Sequence, residues 1–379
     1  MDNTTYDSPL SGVRVLELAS LIPGPFCGLT LAELGADVVK VEPPGGDPMR
    51  LMPPMRGETS ALFDALNRGK RSVCLNLKDP DQRDQFLALT SEADIVIEGW
   101  RPGVAKRLGV DATRLRQHNP RLIYCAITGY GQQGHYSTRA FHDINVLSLT
   151  GVLGATGNAS GPVLPAVQIG DFSGGGQQAV IALLAALRVR DRDGVGCVLD
   201  VSMSAGVRAL MPLMHARLVT TGYNPGPGED PLAGSMPSYR IYAASDGHLA
   251  VGAIELKFWE RFCAAIGCEH LALEPYATGE RAASVIAEIE AITSQFSVDE
   301  WRERLKETDC CVGIVRTPTG ALADPEIEFS QALIEIIDGD GNPTHYLPAI
   351  PAIKPAASCL RPAPALGEHQ ADICRPSTA

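Results

Sequence analysis

The stretch that decides the fold is VRVLELASLIPGPFCGLTLAELGADVVKVE, residues 13–42. Its first six residues alternate in polarity and include β-branched side chains, which predicts a strand. The loop LIPGPF follows, and a helix is then predicted from about Cys27 to Leu34, closed by Gly35. The segment ADVVKVE, residues 36–42, is predicted as a second strand. A strand, a helix and a strand in this order form a βαβ unit, which implies parallel strands.

The same alternation of strands and helices continues to about residue 131. Further strands are predicted at 71–77, 94–100 and 121–131, with a helix at 79–93 and a short helix pair at 101–120. Five strands that alternate with helices indicate a doubly wound, parallel, Rossmann-like sheet. The first loop lacks the G-x-G-x-x-G pattern of dinucleotide binding, but a ligand is still expected at the carboxyl ends of the strands.

The character of the sequence changes at about Tyr223, where a loop rich in proline and glycine begins. Beyond this loop we predict a hairpin at 239–255 with Asp246-Gly247 at its turn, helices at about 256–267, 281–294 and 298–307, and a strand in TDCCVGIVRT. We therefore expect two domains. Residues 1–222, completed by 331–379, form a large α/β domain, and residues 223–330 form a smaller α+β domain.

Composition limits the classes of function. Hydrophobic residues make up 45% of the chain and charged residues 20%, which is ordinary for a soluble globular protein. The net charge of −12 argues against affinity for nucleic acid or anionic membranes. Ten cysteines without any C-x-x-C pair predict reduced thiols, and the eight histidines show no metal-ligand spacing. We therefore expect neither a metal site nor a nucleic-acid partner.

Sequence signals for targeting and membrane insertion are weak. The first residues, MDNTTYDSPLSG, are polar and acidic, unlike a signal peptide, and the last residues, RPSTA, do not match a peroxisomal signal. The longest apolar run, residues 179–187, is about half of the roughly 20 residues that a membrane span needs. We therefore expect a cytoplasmic protein without a membrane partner.

Two neighbouring segments carry candidate catalytic residues. FHDIN contains His142 and Asp143, and GDFSGGG places Asp171 just before a glycine run and a predicted helix. Because the start of a helix favours a negative charge, we expect an ionised Asp171 carboxylate that can act as a base or a nucleophile. However, an Asp before a helix is most often only an N-cap, and a lone His is most often structural. Asp143 itself is a candidate cap for the helix INVLSLTG.

Basic residues cluster beside two predicted strand ends. The first cluster contains Arg68, Lys70 and Arg71, and the second contains Arg101, Lys106 and Arg107. Arginine and lysine are the side chains that bind phosphate groups. The same residues also suit an ordinary solvated surface, so the pattern alone leaves both interpretations open.

Ordered motifs along nearly the whole chain resemble the family III CoA transferases. They are VRVLELASLIPGPFCGLTLAELGADVVKVEPPGG at 13–46, NRGKRSVCLNLKDP at 67–80, RPGVAKRLGV at 101–110, NPRLIYCAITGYGQQG at 119–134, FHDIN at 141–145, GDFSGGG at 170–176, DGHLAVGAIELKFW at 246–259 and TDCCVGIV at 308–315. The resemblance implies an acyl-CoA substrate, with CoA as part of that substrate and no prosthetic group. It also implies an interlocked homodimer.

The resemblance also implies where CoA binds. The family's CoA-contacting loops correspond to Pro43, Leu75, Asn76, Leu77, Trp100, Arg101 and Arg107. We add Lys70 and Arg71 of the first basic cluster, and Asp143. The chain departs from the pattern at Pro43, where many relatives carry an arginine near the adenine. One adenine contact of the family is therefore in doubt here.

Three functions fit the resemblance. A racemase inverts the α-carbon of 2-methyl-branched acyl-CoA thioesters through an enolate, with His142 and Asp171 as opposing bases and Glu255 paired with the histidine. A transferase instead attacks the thioester with Asp171, forms an acyl anhydride, and commonly carries an aromatic residue in place of His142. A non-catalytic CoA-binding protein would lack His142 or Asp171. The presence of the histidine favours the racemase.

Overall fold

A six-stranded parallel sheet is the centre of the computed structural model, which describes residues 8–323, 333–337 and 341–374. Its strands are β1 (Arg14–Glu17), β2 (Asp37–Glu42), β3 (Arg71–Cys74), β4 (Ile95–Glu98), β5 (Ile123–Thr128) and β6 (Val198–Ser202). They lie in the order β3-β2-β1-β4-β5-β6, and every neighbouring pair is parallel. The predicted doubly wound sheet is confirmed, and the strand order reverses between β1 and β4.

Helices connect these strands and continue beyond them. In chain order the helices are α1 (Pro23–Glu33), α2 (Ala61–Asn67), α3 (Pro80–Ser91), α4 (Val104–Leu108), α5 (Ala112–His118), α6 (Asp143–Thr150), α7 (Val152–Ala155), α8 (Gln178–Asp193), α9 (Met203–Arg208), α10 (Pro212–Thr221), α11 (Leu256–Ile266), α12 (Gly279–Thr293), α13 (Val298–Leu305), α14 (Pro318–Leu322) and α15 (Gln370–Ile373). A π-helix at Gly170–Gln177 leads directly into α8. Within the described residues, no helix has the length and apolar character needed to cross a membrane.

Helix α1 begins one turn earlier than its predicted start at Cys27. It starts at Pro23, and Pro25 also lies in its first turn. Prolines fit there because the first N–H groups of a helix have no partner within the helix, and their fixed φ suits it. The sequence analysis placed both prolines in the loop LIPGPF instead.

The chain divides into two compact units. The first unit comprises Met1–Thr150, Val167–Pro212 and Ser330–Ala379, and the second comprises Gly151–Ala166 and Leu213–Phe329. This division starts the second unit about ten residues before the predicted 222/223 boundary and adds a separate short segment to it. The predicted bounds of independently folding domains stay a prediction.

The second unit contains a small antiparallel sheet. Strands β7 (Tyr239–Ala243) and β8 (His248–Gly252) form the predicted hairpin, and β9 (Val312–Ile314) pairs with β8. One face of this sheet contributes to a core that contains Trp259, Phe262 and Trp301. This α+β arrangement agrees with the sequence pattern of alternating strands and amphipathic helices.

The C-terminal part of the chain completes the first unit. Its hairpin consists of β10 (Ile334–Ile337) and β11 (Pro343–Tyr346). Further along, the Gly69 N–H donates to the Arg361 carbonyl at 3.0 Å, and the Cys74 N–H donates to Gln370 Oε1 at 2.8 Å. Because β3 is an edge strand, these bonds satisfy groups that would otherwise lie open.

A buried network of charges joins the carboxyl end of β1 to its neighbours. Glu17 accepts from Lys40 Nζ at 2.9 Å and from Lys70 Nζ at 2.8 Å. Lys40 Nζ also lies 2.9 Å from Asp47 Oδ2. All four side chains are at least 98% buried. Buried charges are tolerated only when they are paired and hydrogen-bonded, so this network fixes β1 relative to β2 and to the loops that follow them.

We predict that Gly28→Ala lowers the free energy of unfolding by about 2–3 kcal/mol, although alanine normally stabilises a helix interior by about 1 kcal/mol. An added Cβ would lie only 1.8 Å from Glu17 Oε2 and 3.2 Å from Lys70 Nζ. Urea unfolding measures the change. The matched control is Gly154→Ala in α7, where an added Cβ meets nothing within 4 Å. A Gly28→Ala protein as stable as wild type would contradict the tight packing around Glu17.

Candidate active site

Asp171 lies in the π-helical turn at the start of a long helix. The glycine run Gly174–Gly176 follows it, and added side chains there would collide with the rest of the first unit. A Cβ on Gly174 would lie 2.8 Å from the Met203 carbonyl, and a Cβ on Gly175 would lie 2.9 Å from Pro23 Cβ. The glycines therefore allow α1 and α9 to approach the helix closely, and they fix the place of Asp171. Single π-helical turns are often found at functional sites.

Asp143 joins the His142 segment to the Asp171 segment. Its Oδ1 accepts from the N–H of Gly170 at 2.6 Å and from the N–H of Asp171 at 3.1 Å. Sequence analysis expected Asp143 to cap its own helix, α6, but it caps the helix that carries Asp171. The partner lies 27 residues further along the chain, so local spacing did not reveal it.

His142 is exposed and stands immediately before α6. Its N–H donates to Asn145 Oδ1 at 2.9 Å, and its carbonyl accepts from the Val146 N–H at 3.2 Å. The backbone of His142 is therefore held in place, while its imidazole faces solvent. Through Asp143, the structure brings the segments of two of the three predicted catalytic residues together.

The carboxyl group of Asp171 ionises less readily than the sequence analysis predicts. Burial, together with the nearby Asp143 carboxylate, raises the pKa of Asp171 to about 7. The physical reason is that the first N–H groups of the helix donate to Asp143, so they stabilise the charge of Asp143 instead. Near neutral pH, Asp171 is present in both protonation states.

A pocket of about 190 Å³ lies at the carboxyl ends of β1 to β4. Five of the predicted CoA-binding residues line it: Pro43, Leu75, Asn76, Leu77 and Trp100. Sequence analysis missed Leu18, Lys78 and Leu108, which also line it. Leu18 follows β1 directly, at the point where the strand order reverses, and that position is a signal for ligand contact that could have found it.

Arg101 and Arg107 lie beside this pocket along the chain, next to Trp100 and in α4. Both are exposed, and their side chains have no hydrogen-bond or ion-pair partner among the described residues. Exposed guanidinium groups without a carboxylate partner remain available to bind phosphate. Neither residue lines the pocket itself, and their predicted role in binding CoA stays a prediction.

Lys70 and Arg71 do not fit the role predicted for them. Lys70 Nζ is buried and donates to Glu17, to the Pro25 carbonyl and to Asn67 Oδ1, which uses all three of its N–H groups. Arg71 begins β3, at the amino end of the sheet, and pairs with Asp37. Lys70 and Arg71 therefore stabilise the fold. Sequence analysis did not reveal this, because their partners lie far away in sequence.

Glu255 belongs to the second unit, where it is exposed and immediately precedes α11. Its predicted pairing with His142 stays a prediction. The second unit also contains a larger cavity, about 1140 Å³, between β7, β8 and nearby loops. None of the predicted site residues lines that cavity.

Comparison with known proteins identifies the family. The model described as CoA-transferase family III matches residues 10–370. The chain is 34% identical over 368 residues to the alpha-methylacyl-CoA racemase of Mus musculus, covering 97% of this chain and 92% of that protein. It is also 34% identical over 388 residues to the succinate–glutarate CoA-transferase of Agrobacterium fabrum, covering 96% and 94%.

A solved structure shares the fold. The CAIB/BAIF family protein from Brucella suis aligns with a TM-score of 0.82 at 31% identity, covering 97% of this chain and 98% of that one. A racemase and a transferase resemble the chain to the same degree, so similarity alone does not choose the reaction. The extent of these matches nevertheless establishes the family, and the chain belongs to CoA-transferase family III.

Proposed function

We propose that this protein is a racemase that inverts the α-carbon of 2-methyl-branched acyl-CoA thioesters. The observation that carries the proposal is the pair of proton-transfer groups on two segments joined by Asp143. One is the exposed imidazole of His142, and the other is Asp171, whose pKa is raised to about 7. Imidazole is a common general acid and base in enzymes, and the raised pKa lets the Asp171 carboxyl group both accept and donate a proton at neutral pH.

The reaction requires this property of both residues. One base removes the α-proton, the thioester carbonyl takes up the electrons as an enolate, and the opposing acid delivers a proton to the other face. For the mirror-image substrate the two residues exchange roles. Each must therefore be stable with and without its proton, and the Asp171 carboxyl group, with its pKa of about 7, meets that condition.

A CoA transferase remains the second candidate, because a transferase resembles the chain as closely as a racemase does. In that reaction the Asp171 carboxylate attacks the thioester, which forms an acyl anhydride and releases the CoA thiolate. The thiolate then attacks the Asp171 carbonyl of the anhydride, which frees the first acid and leaves an aspartyl-CoA thioester. The acceptor acid attacks this thioester to form a second anhydride, and the released CoA thiolate takes the new acyl group and regenerates Asp171. A nucleophile works only in its ionised form, so the raised pKa of Asp171 gives no advantage to this chemistry. His142 likewise has no required step in it.

The interlocked homodimer stays a prediction that belongs to this proposal. Helix α10 is compatible with contact to a second subunit. None of its residues is buried, so the apolar side chains of Leu213, Leu218 and Val219 lie exposed.

The reaction is tested with a (2R)-2-methylacyl-CoA in D₂O, following chirality and α-deuterium together. We expect both enantiomers to form with deuterium at the α-carbon. His142→Ala should abolish inversion, reducing its rate at least about 100-fold, because loss of a general base or acid costs about 10²–10⁴ in rate. His118→Ala, which removes another exposed imidazole of the first unit, is the matched control. CoA transfer to a free acid without α-exchange would establish the transferase instead.

A second prediction concerns Asp143→Asn. The amide oxygen can still accept from the N–H groups of Gly170 and Asp171, but the negative charge that helps to raise the pKa of Asp171 is lost. The pKa of Asp171 should fall from about 7, and it should stay above its ordinary value because burial remains. The rate for the enantiomer that Asp171 deprotonates should then rise at lower pH than in wild type. An unchanged pH–rate profile would contradict the coupling between the two carboxyl groups.

A third prediction concerns the phosphate contacts. Arg107→Ala should raise the Michaelis constant for acyl-CoA about tenfold with little change in turnover, because a phosphate contact is equally strong in the ground and transition states. Arg192→Ala is the matched control, since Arg192 is exposed near the end of α8, shortly before β6 begins at the opposite edge of the sheet. A fall in turnover with an unchanged Michaelis constant would show that Arg107 does not anchor CoA.

A further inference from the structure

Glu98, the last residue of β4, is a buried carboxyl group without a role in the proposed chemistry. Its side chain is only 4% exposed. Among the residues that the structure describes, no lysine, arginine or histidine side chain pairs with it. A buried carboxyl group without a cation is unfavourable unless hydrogen bonds compensate for the lost water. The hydrogen bonds of Glu98 therefore indicate what it does.

The carboxyl group of Glu98 holds the turn that follows β4. Its Oε2 accepts from the backbone N–H of Trp100 at 2.6 Å. Gly99 lies near Ala19, two residues beyond β1, since a Cβ added to Gly99 would be in ordinary contact with Ala19 Cβ at 3.4 Å. Glu98 thus holds the turn at the point where the strand order of the sheet reverses.

The residue that this turn carries is Trp100, whose indole lines the pocket with Leu77 and Leu108. Trp100 is half-buried and packs against the apolar core of the sheet. The φ angle of Trp100 sets where the indole lies relative to the pocket. The hydrogen bond from the Trp100 N–H to Glu98 holds this part of the backbone in place.

We propose that Glu98 is a positioning residue for the CoA site, because it fixes the backbone turn that presents Trp100 to the ligand. The inference rests on the proposed function only in taking CoA as the ligand. The racemase and transferase alternatives both bind CoA, so binding measured without turnover tests this role separately from the reaction.

The strength of this hydrogen bond depends on pH. Burial raises the pKa of Glu98 to about 7, against hydrogen bonds from the Trp100 N–H and the Tyr124 hydroxyl. The other groups that face it are the Asp200 carboxylate of β6 and the Cys125 thiol of β5. An ionised carboxylate accepts a stronger hydrogen bond than a protonated one. The turn is therefore held more firmly above pH 7 than below it.

The experiment measures the dissociation constant of CoA by calorimetry. It also records the fluorescence emission of Trp100, which reports the environment of the indole. The other two tryptophans, Trp259 and Trp301, are fully buried in the core of the second unit, and a Trp100→Phe protein gives their background signal. Glu98→Ala should weaken CoA binding about tenfold and change the Trp100 emission. Turnover at saturating substrate should stay within about twofold. Glu92→Ala, which removes an exposed carboxylate shortly before β4, should bind CoA normally.

Two further variants separate positioning from a general loss of stability. Glu98→Gln keeps an acceptor for Trp100 but cannot ionise, so it should match wild type at pH 6 and bind about threefold more weakly at pH 8. In the wild type, CoA affinity should increase as Glu98 ionises. Tyr124→Phe removes a hydrogen bond that lowers the pKa of Glu98, so this increase in affinity should occur at higher pH. CoA also has groups that titrate. Their effect on affinity is the same for the wild type and the variants, so it cancels when the proteins are compared at the same pH.

These measurements decide the proposal even if Glu98→Ala does not fold. A folded Glu98→Ala protein with wild-type CoA affinity and unchanged Trp100 emission would overturn it. If that variant is unfolded, a Glu98→Gln protein that keeps the wild-type pH dependence of CoA affinity would overturn it equally. The positioning role of Glu98 would be established if CoA affinity loses its pH dependence in Glu98→Gln and if this dependence shifts to higher pH in Tyr124→Phe.

Discussion

Two lysine ammonium groups share the carboxylate of Glu17 inside the core, and much of the first unit depends on this arrangement. Lys40 comes from β2, whereas Lys70 lies just before β3 and also donates to the Pro25 carbonyl of α1. Removing one partner would leave an uncompensated charge in the interior, which typically costs about 3–5 kcal/mol. The strand ends and the first helix are therefore held together as a group, and the pocket at the carboxyl edge of the sheet has a rigid base.

The candidate catalytic centre uses carboxyl groups in the opposite way. Among the residues that the structure describes, no cation pairs with Asp171, and the nearest helix N–H groups donate to Asp143 instead. The fold thus stabilises one carboxylate and makes the ionisation of its neighbour difficult. Such a difference between two nearby carboxyl groups is typical of sites that transfer protons. Around Glu17 the carboxyl group is paired with cations and contributes stability, whereas at Asp171 burial and the neighbouring Asp143 raise the pKa of the carboxyl group.

The sequence predicts a structural feature well when the residues that form it lie close together in the chain, and poorly when they lie far apart. Alternating polarity along 13–42 and in the next strands was enough for the parallel sheet, because strands and helices follow local periodicity. The sheet topology predicted a ligand at the carboxyl ends of the strands, whereas the individual pocket residues came from the resemblance to the family. The structural role of Lys70 was not predictable, because its partner Glu17 lies 53 residues away. The raised pKa of Asp171 was hidden for the same reason, since it depends on burial and on Asp143.

The covering of β3 by residues 361–370 has a consequence for biosynthesis. A ribosome makes the strands of the sheet early, but the segment that satisfies the Gly69 and Cys74 N–H groups emerges nearly 300 residues later. During translation of the whole second unit, this edge of the nascent chain is open to pairing with other unfinished chains. At about 5–20 residues per second, this interval lasts about 15 s to 1 min. Chaperone binding to the nascent chain would protect it during that time.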